Sequence, residues 1–175
     1  MSVEISQIVR GLLRDIPNFP EPGVQYWDIT PLIGDGPGFQ AVTRDIASRN
    51  GEGIDVVAGL EARGFIFGAA VAHELGLGFV PIRKAGKLPG QTTRVSYELE
   101  YGSATLEIHN DGIAPGARVL VVDDVLATGG TAAAACEVIE AVGAQATAVE
   151  IVLELAFLNG RERLPGRDVR AILTV

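Results

Sequence analysis

The chain has 175 residues, a formal net charge of −8 at neutral pH and a hydrophobic fraction of 47%. The acidic excess argues against nucleic acid or an anionic membrane surface as the main partner, and the hydrophobic content excludes a disordered chain. The length fits one domain with a sizeable core.

The first predicted element is an amphipathic helix over residues 2–15, which Pro17 ends. This start lacks a basic segment followed by a continuous apolar run, so we expect neither a signal peptide nor a membrane span. Residues 16–35 are rich in proline and glycine and are predicted to form an ordered loop or short pieces. A helix is predicted over residues 37–49, with proline at its first position.

A short buried strand over residues 54–58 leads into a tight loop at residues 61–64, and a helix is predicted over residues 65–75. A loop of this kind can present backbone N–H groups to an anion. Arg63 adds a guanidinium group whose fork suits phosphate. For an isolated arginine, an ion pair with Glu61 or Glu52 is the simpler interpretation.

A further strand over residues 78–83 runs into a basic cluster that contains Lys84 and Lys87. Basic clusters on loops are usually solvated, but here glycine and proline turns follow directly, which makes an anion-binding role credible. Residues 91–101 are polar and β-prone and are predicted to form two strands joined by a mobile excursion. Residues 103–108 alternate in polarity, as a returning strand does.

The most informative stretch begins with four apolar residues, 119–122, which predict a strand buried on both faces. Asp123 and Asp124 follow, and then a glycine turn at residues 128–131 opens a helix from about Ala132. Glycines let the backbone approach an anion, and the first helical turn offers free N–H groups to it. The acids are expected at the carboxyl end of the strand, where open parallel sheets bind ligands.

Two carboxylates beside a phosphate cradle are consistent with a phosphorylated sugar. Ribose hydroxyls donate hydrogen bonds, and ionised Asp123 and Asp124 accept them. The pattern is neither the Walker motif nor GxGxxG. An ordinary strand-to-helix turn whose acids cap the helix is the alternative, but the strand, acid pair and glycine turn in register favour the sugar phosphate. The lone cysteine, Cys136, is expected as a small buried residue of the helix and suits a reducing cytoplasm.

The last elements are a strand over residues 145–153, a short helix over residues 156–164 and an edge strand over residues 169–174. The short helix is expected to carry Arg161, Glu162 and Arg163 outward. Alternation of strands and helices along the chain predicts an α/β fold with a mainly parallel central sheet flanked by helices.

The segment VVDDVLATGGT, residues 121–131, resembles the phosphoribosyl pyrophosphate signature of the type I phosphoribosyltransferases. Matches at residues 19–31, 59–68, 81–90 and 97–102 narrow the resemblance to the adenine-specific members. The resemblance implies a single domain over residues 1–175, with a base-covering hood in residues 1–35 and a flexible loop and strands in residues 84–109, of which residues 91–101 form a flexible β lid. The implied reaction is adenine plus 5-phosphoribosyl 1-pyrophosphate to AMP plus pyrophosphate.

The resemblance also implies roles for individual residues. Glu100 is the expected catalytic residue, and Tyr101 belongs to the lid. Pyrophosphate is expected on Arg63, Lys84 and Lys87, and adenine on Val24, Tyr26 and Trp27. The phosphoribosyl group, in substrate and in AMP, is expected to bind Asp123, Asp124, Ala127, Thr128, Gly129, Gly130 and Thr131.

Mg²⁺ is the cofactor that the resemblance implies, held mainly through the substrate near Asp123 and Asp124. A cytoplasmic homodimer is implied, with a basic residue of the 83–90 segment commonly acting across the dimer interface. Trp27 departs from the residue more usual in relatives. A backbone contact to the base would tolerate that change, whereas a side-chain role for Trp27 stays open.

Three alternatives remain open from the sequence. The first is the same fold acting on guanine or another oxopurine, against which the adenine-type segments at residues 19–31 and 97–102 argue. The second is a phosphoribosyl pyrophosphate sensor, but such regulators usually carry a basic DNA-binding domain, for which these 175 residues offer neither room nor charge. The third is a structural domain without ligand, which leaves the acid pair, basic loop and lid unexplained together.

Overall fold

The computed structural model describes residues 2–98 and 102–175. Its helices there are α1 (Ser2–Leu12), α2 (Thr30–Gly34), α3 (Gly36–Arg49), α4 (Arg63–Leu75) and α5 (Gly130–Ala141). Its strands are β1 (Arg14–Pro17), β2 (Gln25–Asp28), β3 (Val56–Leu60), β4 (Gly78–Lys84), β5 (Thr92–Glu98), β6 (Ser103–His109), β7 (Arg118–Leu126), β8 (Gln145–Glu154) and β9 (Val169–Thr174).

A seven-stranded sheet forms the centre of the protein, in the order β5-β6-β4-β3-β7-β8-β9. Neighbouring strands from β4 through β9 in this order run parallel. The hairpin of β5 and β6 extends the β4 edge in the antiparallel sense. The predicted α/β fold with a mainly parallel sheet is confirmed, and β9 is the edge strand that the sequence predicted.

Both faces of the sheet are covered, and β7 shows how. Leu120 and Val122 lie in the core shared with α1, α2, α3 and α4. Val119 and Val121 lie in the core shared with α5 on the other face. Successive side chains of a strand point to opposite faces, so a strand between two layers must be apolar at every position. This is the physical reason for the unbroken apolar run at residues 119–122.

The predicted N-terminal helix is too long. The helix ends at Leu12, and residues 14–17 form β1, which pairs antiparallel with β2. Ile16, which fits helical spacing, instead lies opposite Tyr26 in this two-stranded sheet. Pairing with a strand ten residues further along the chain therefore outweighs the local helical pattern.

The acid pair lies within a strand, not after one as predicted. β7 continues to Leu126 because β8 pairs with it at Asp123↔Ile151 and as far as Leu126↔Glu154. Backbone pairing of this kind does not depend on apolar side chains, so the polarity of residues 123 and 124 marks no strand end.

Two further predictions are corrected. Residues 92–98 form one strand, not two, because all seven pair in register with β6. Residues 156–164 form two short 3₁₀ helices, Ala156–Leu158 and Gly160–Arg163, in place of one helix. Arg161 to Arg163 are exposed as expected. Among the described residues, no helix combines the length and apolar character that crossing a lipid bilayer requires.

Candidate active site

The glycine turn between β7 and α5 is shaped by close backbone packing. Gly129 has φ +81°, and a Cβ atom there would lie 2.0 Å from the carbonyl oxygen of Gly160. A Cβ atom on Gly160 would in turn lie 2.3 Å from the carbonyl oxygen of Ala127. Glycine is therefore required on both sides of this contact. The turn is held by a segment about 30 residues away that the sequence analysis did not associate with it.

The turn encloses a cavity of about 80 Å³ whose lining includes Ala127, Thr128, Gly129, Thr131 and Asp123. Gly130 is the first residue of α5, and no side chain caps this helix. N–H groups of the first helical turn therefore remain for an anion, and the helix dipole favours negative charge at the same point. This geometry is what a phosphate group requires.

Asp123 and Asp124 are both 8% exposed and lie beside this turn. The backbone N–H of Asp124 donates to Oδ1 of Asp123 at 2.8 Å. Burial, and then the negative charge of Asp124, raise the pKa of the Asp123 carboxyl well above its ordinary value. Two acids in one buried place are poised to accept hydrogen bonds or share a positive charge.

Arg63 supplies that positive charge. Its Nε lies 2.6 Å from Oδ2 of Asp124. Its Nη1 donates to the Tyr26 hydroxyl at 2.9 Å. The Nε–H does not point along the contact, so Oδ2 of Asp124 has an ion pair but no aligned hydrogen bond. Arg63 therefore pairs with neither Glu61 nor Glu52, the partners expected for an isolated arginine.

The loop before α4 is held tightly against the acid pair. The peptide bond between Glu61 and Ala62 is cis. At Gly64, a Cβ atom would lie 2.7 Å from Oδ1 of Asp123 and 3.0 Å from the Val122 carbonyl oxygen. Only glycine allows the start of α4 to approach β7 so closely.

Glu61 connects this loop to the basic segment, residues 83–90. Its carboxylate accepts hydrogen bonds from the Arg83 guanidinium at 3.2 Å and from the backbone N–H of Lys84. Lys84 lines a cavity of about 290 Å³ together with Glu61, Asp123, Asp124 and Thr131. The lining of this cavity does not include Lys87, whose side chain is exposed.

Tyr97 also lines the cavity and was not identified from the sequence. Its hydroxyl lies 3.2 Å from the Thr131 hydroxyl, and its ring packs against Gly130. The strand β5 thus contacts the glycine turn directly. Glu61 and Glu107 were missed as well. Both are acids within apparently structural segments, and the sequence carries no signal for the contacts they make.

The residues expected to contact the base do not all lie on one side of β2. Tyr26 faces Arg63, and the ring of Phe19 packs edge-to-face on Tyr26 at 5.1 Å. Trp27, the next residue of β2, packs into the core below α1, with the Arg10 guanidinium 5.7 Å from its ring. Neighbouring residues of a strand point to opposite faces, so only the backbone of Trp27 remains available on the Tyr26 side. Val24, directly before this strand, is 36% exposed.

Two expected residues, Glu100 and Tyr101, lie outside the described residues. The described ones bring together Asp123, Asp124, Arg63, Lys84 and the glycine turn, which come from separate parts of the chain.

Comparison with known families identifies the chain. A family model described as phosphoribosyl transferase domain matches residues 33–168. An adenine phosphoribosyltransferase of Thermobifida fusca is 52% identical over 176 residues, covering 100% of both chains. One from Chloroflexus aurantiacus is 54% identical, covering 95% of this chain and 97% of the other.

Solved structures agree with these relatives. The adenine phosphoribosyltransferase of Thermoanaerobacter pseudethanolicus superposes with a TM-score of 0.92 at 43% identity, covering 97% of this chain and 99% of the other. The Saccharomyces cerevisiae enzyme, solved with adenine and an imino-altritol bisphosphate, has a TM-score of 0.93 at 41% identity, covering 98% and 99%. The chain therefore belongs to the adenine phosphoribosyltransferase family, within the larger family that shares the phosphoribosyl transferase domain.

Proposed function

We propose that the cavity beside Lys84 is where this enzyme holds its reacting groups. As a member of its family, the protein transfers the phosphoribosyl group of 5-phosphoribosyl 1-pyrophosphate to adenine, giving AMP and pyrophosphate in purine salvage. The assignment rests on one observation: the acid pair, Lys84 and Thr131 of the uncapped start of α5 line one cavity, and Arg63 forms an ion pair with Asp124 of that lining.

The substrate divides naturally among these groups. The 5-phosphate binds the turn formed by residues 127–131, where N–H groups are free. Asp123 and Asp124 accept hydrogen bonds from the 2′ and 3′ ribose hydroxyls. Arg63 and Lys84, with Lys87, bind the pyrophosphate, and their charge stabilises it as it leaves.

The base approaches from the hood, which we assign to residues 1–35. β2 is half of a two-stranded sheet, so one of its backbone edges has no neighbouring strand in that sheet. An adenine edge has the donors and acceptors to pair with such a backbone edge, as peptides do in β-augmentation. Tyr26 and Val24 contribute side chains to this side, and Trp27 contributes its backbone.

Purine N9 attacks ribose C1′ as pyrophosphate leaves, and the ribose becomes cation-like. The carboxylates of Asp123 and Asp124 stabilise this charge. Glu100 handles the proton of the purine ring, and Tyr101 belongs to the proposed lid, residues 91–101, that excludes water from C1′. Both residues lie outside the described part of the chain and are assigned by resemblance.

Mg²⁺ is the proposed cofactor. Within residues 2–98 and 102–175 no three acids, histidines or cysteines form a metal-binding group. The protein ligands proposed for the metal are Asp123 and Asp124. Oδ2 of Asp124 forms an ion pair with Arg63 but has no aligned hydrogen bond. Mg²⁺ prefers a few carboxylates plus phosphate oxygens and waters, and this donor set fits that preference. When bound, it would neutralise charge on the pyrophosphate leaving group.

We also propose that the enzyme is a cytoplasmic homodimer. Cys136 is a buried free thiol, which is consistent with a reducing compartment. The small molecules that the enzyme is proposed to bind are adenine, 5-phosphoribosyl 1-pyrophosphate, AMP and pyrophosphate. Nucleic acid and membranes are not proposed as partners, because the net charge of −8 disfavours both.

A spectrophotometric assay tests the function. Adenine, guanine, hypoxanthine and xanthine are each incubated with 5-phosphoribosyl 1-pyrophosphate, Mg²⁺ and the enzyme. Turnover of adenine alone is expected. Turnover of an oxopurine would retain the phosphosugar site and overturn the assignment of the base cover. Binding of 5-phosphoribosyl 1-pyrophosphate without turnover of any base would indicate a sensor.

A further inference from the structure

Glu107 is a charged residue in an unexpected place. It lies in β6 between Leu106 and Ile108, and its side chain has no exposed surface. Leu106 lines the cavity that holds the acid pair. Because neighbouring strand residues point to opposite faces, Glu107 points away from that cavity and cannot touch a substrate bound there.

Its carboxylate is instead fully used by the segment between β4 and β5 and by the first residues of β5. One oxygen accepts hydrogen bonds from the backbone N–H groups of Lys87 at 2.8 Å and Leu88 at 2.9 Å. The other accepts from the Thr92 hydroxyl at 3.2 Å and from Arg94 Nε at 3.1 Å. The buried side chain of Glu107 thus joins the bend at residues 86–88 of the basic segment to β5, the strand that follows it.

These contacts keep Glu107 ionised. Burial opposes the charge, but the backbone N–H groups of Leu88, Gly86 and Lys87 outweigh it and lower the pKa to about 2. A carboxylate that accepts several backbone hydrogen bonds is a fixed anchor over the whole physiological pH range.

The same contacts also affect the two lysines of this segment, Lys84 and Lys87. A carboxylate close to Lys84 and Lys87 would ordinarily pair with an ammonium group, yet neither ammonium forms an ion pair or hydrogen bond with the described residues. Glu107 binds the Lys87 backbone, and Glu61 binds the Lys84 backbone and Arg83. The two acids fix the path of the segment and leave the lysine charges free for a polyanion.

We propose that Glu107 is a positioning residue for the pyrophosphate half of the substrate. It acts by holding the 86–88 bend so that the ammonium groups of Lys84 and Lys87 are presented to pyrophosphate. The inference rests on the proposed function, namely that these two lysines bind pyrophosphate. It adds a residue that never contacts the ligand.

The test variant is Glu107→Gln. Its amide oxygen can still accept a hydrogen bond from the bend, but the charge is lost and an NH₂ group meets donors on the other side. Binding of pyrophosphate with Mg²⁺ is measured by calorimetry, and KM for 5-phosphoribosyl 1-pyrophosphate by the adenine assay. The Kd of pyrophosphate and the KM for 5-phosphoribosyl 1-pyrophosphate are both expected to rise by about tenfold, a typical effect of losing charge-assisted hydrogen bonds. The Kd of AMP, which lacks pyrophosphate, is expected to stay unchanged.

Glu150→Gln is the matched control. Glu150 also has no exposed surface, and it accepts hydrogen bonds from Arg49 at 2.6 Å and Asn50 at 2.8 Å, away from the cavity. This variant is expected to lower thermal stability without changing pyrophosphate affinity. Tryptic cleavage after Lys87 gives a local readout: it is expected to accelerate in native Glu107→Gln and not in Glu150→Gln.

Arg94→Gln keeps the experiment decisive if Glu107→Gln does not fold. Arg94 is more than half exposed, so its replacement should preserve the fold while removing a cation that holds the Glu107 carboxylate. A smaller loss of pyrophosphate affinity, about threefold, is expected with AMP binding unchanged.

Lys84→Ala and Lys87→Ala separate the two proposals. If both leave pyrophosphate binding intact, the assignment of the basic segment fails and the inference about Glu107 fails with it. If they weaken binding but Glu107→Gln and Arg94→Gln do not, only the positioning role is wrong. Equal losses of pyrophosphate and AMP affinity in Glu107→Gln would also overturn it, since they would indicate general damage.

Discussion

At the scale of residues, Arg63 connects parts of the site that come from different segments. Its guanidinium contacts the Tyr26 hydroxyl in the hood and the Asp124 carboxylate in β7. Lysine could not make both contacts, because it carries a point charge and not a planar fork. Since Asp124 is also the proposed ribose ligand, substrate binding must share or displace this ion pair.

Asp124→Asn is expected to weaken 5-phosphoribosyl 1-pyrophosphate binding by about 10- to 100-fold, because it removes a charged acceptor and the ion-pair partner of Arg63. Titration calorimetry measures this change. Asp55→Asn is the control, since Asp55 forms an ion pair with Arg118 on the surface. Wild-type affinity in Asp124→Asn would remove this residue from the ribose site.

Glu100→Gln is expected to lower kcat by about 10²- to 10⁴-fold while changing substrate KM little, because general acid–base catalysis acts in the transition state. Steady-state assays with adenine give both parameters. An unchanged kcat would exclude Glu100 from proton handling.

Cys136 is expected to resist alkylation in the native protein. Its side chain has no exposed surface, and burial raises the thiol pKa to about 11. At pH 8 the thiolate is therefore about 100-fold scarcer than for a free cysteine, and its population rises about tenfold per pH unit up to pH 10. Iodoacetamide labelling followed by mass spectrometry measures the rate. Native labelling as fast as in urea would contradict the burial.

At the scale of elements, the shape of the glycine turn at residues 127–131 depends on packing against a separate element about 30 residues further along the chain. The 3₁₀ helix Gly160–Arg163 places its first residue against the backbone of Ala127 and Gly129. Arg161 of this element donates two hydrogen bonds to Glu154, at the end of β8. The turn is thus supported from the carboxyl end of the adjacent strand, and its shape depends on β8 as well as on its own glycines.

Gly129→Ala tests this support against a matched control. Gly129 and Gly116 have nearly the same positive φ, +81° and +79°, but a Cβ atom at Gly116 meets nothing within 4 Å. Gly116→Ala is expected to cost about 1–2 kcal/mol from backbone strain alone. Gly129→Ala adds overpacking and is expected to cost roughly 3 kcal/mol or more, with loss of AMP binding. Thermal unfolding and calorimetry measure the two effects, and equal costs would show that the Gly160 contact relaxes freely.

At the scale of the whole molecule, the two lysines of the basic segment lie differently. Lys84 lines the cavity of its own chain, whereas Lys87 does not. The resemblance found in the sequence implies that a basic residue of this segment acts across a dimer interface. Lys87 is the candidate for such a role, and a homodimer would then be required for complete sites.

Mixing two variants with weakened substrate binding tests this arrangement when activity is measured at a low concentration of 5-phosphoribosyl 1-pyrophosphate. If Lys87 acts across the interface, a heterodimer of Asp124→Asn and Lys87→Ala contains one intact site, so the re-associated mixture should recover about one quarter of wild-type activity. Activity is measured after unfolding and refolding the mixture, with each variant refolded alone as the control. A mixture as inactive as its components, with dimers present in sedimentation, would assign Lys87 to its own subunit.

Local patterns account for what the sequence predicted correctly. The apolar run of β7, the acid pair and the glycine turn are consecutive, and each physical requirement lies within a few residues. A strand buried on both faces needs apolar residues, and a helix start that faces an anion needs small ones. The same reasoning predicted the helix at residues 37–49 and a buried Cys136, and the structure confirms both.

Contacts between distant residues decided the rest. The helical pattern around Ile16 was outweighed by pairing with β2, and the acid pair was drawn into β7 by pairing with β8. Arg63 forms its ion pair with Asp124, 61 residues away, and not with nearby Glu61. The local pattern around Glu107 predicts only a strand. The N–H groups of Lys87 and Leu88 reach its carboxylate only in the folded chain. Charge and hydrogen-bond partners depend on distance in space, which the order of residues along the chain does not specify.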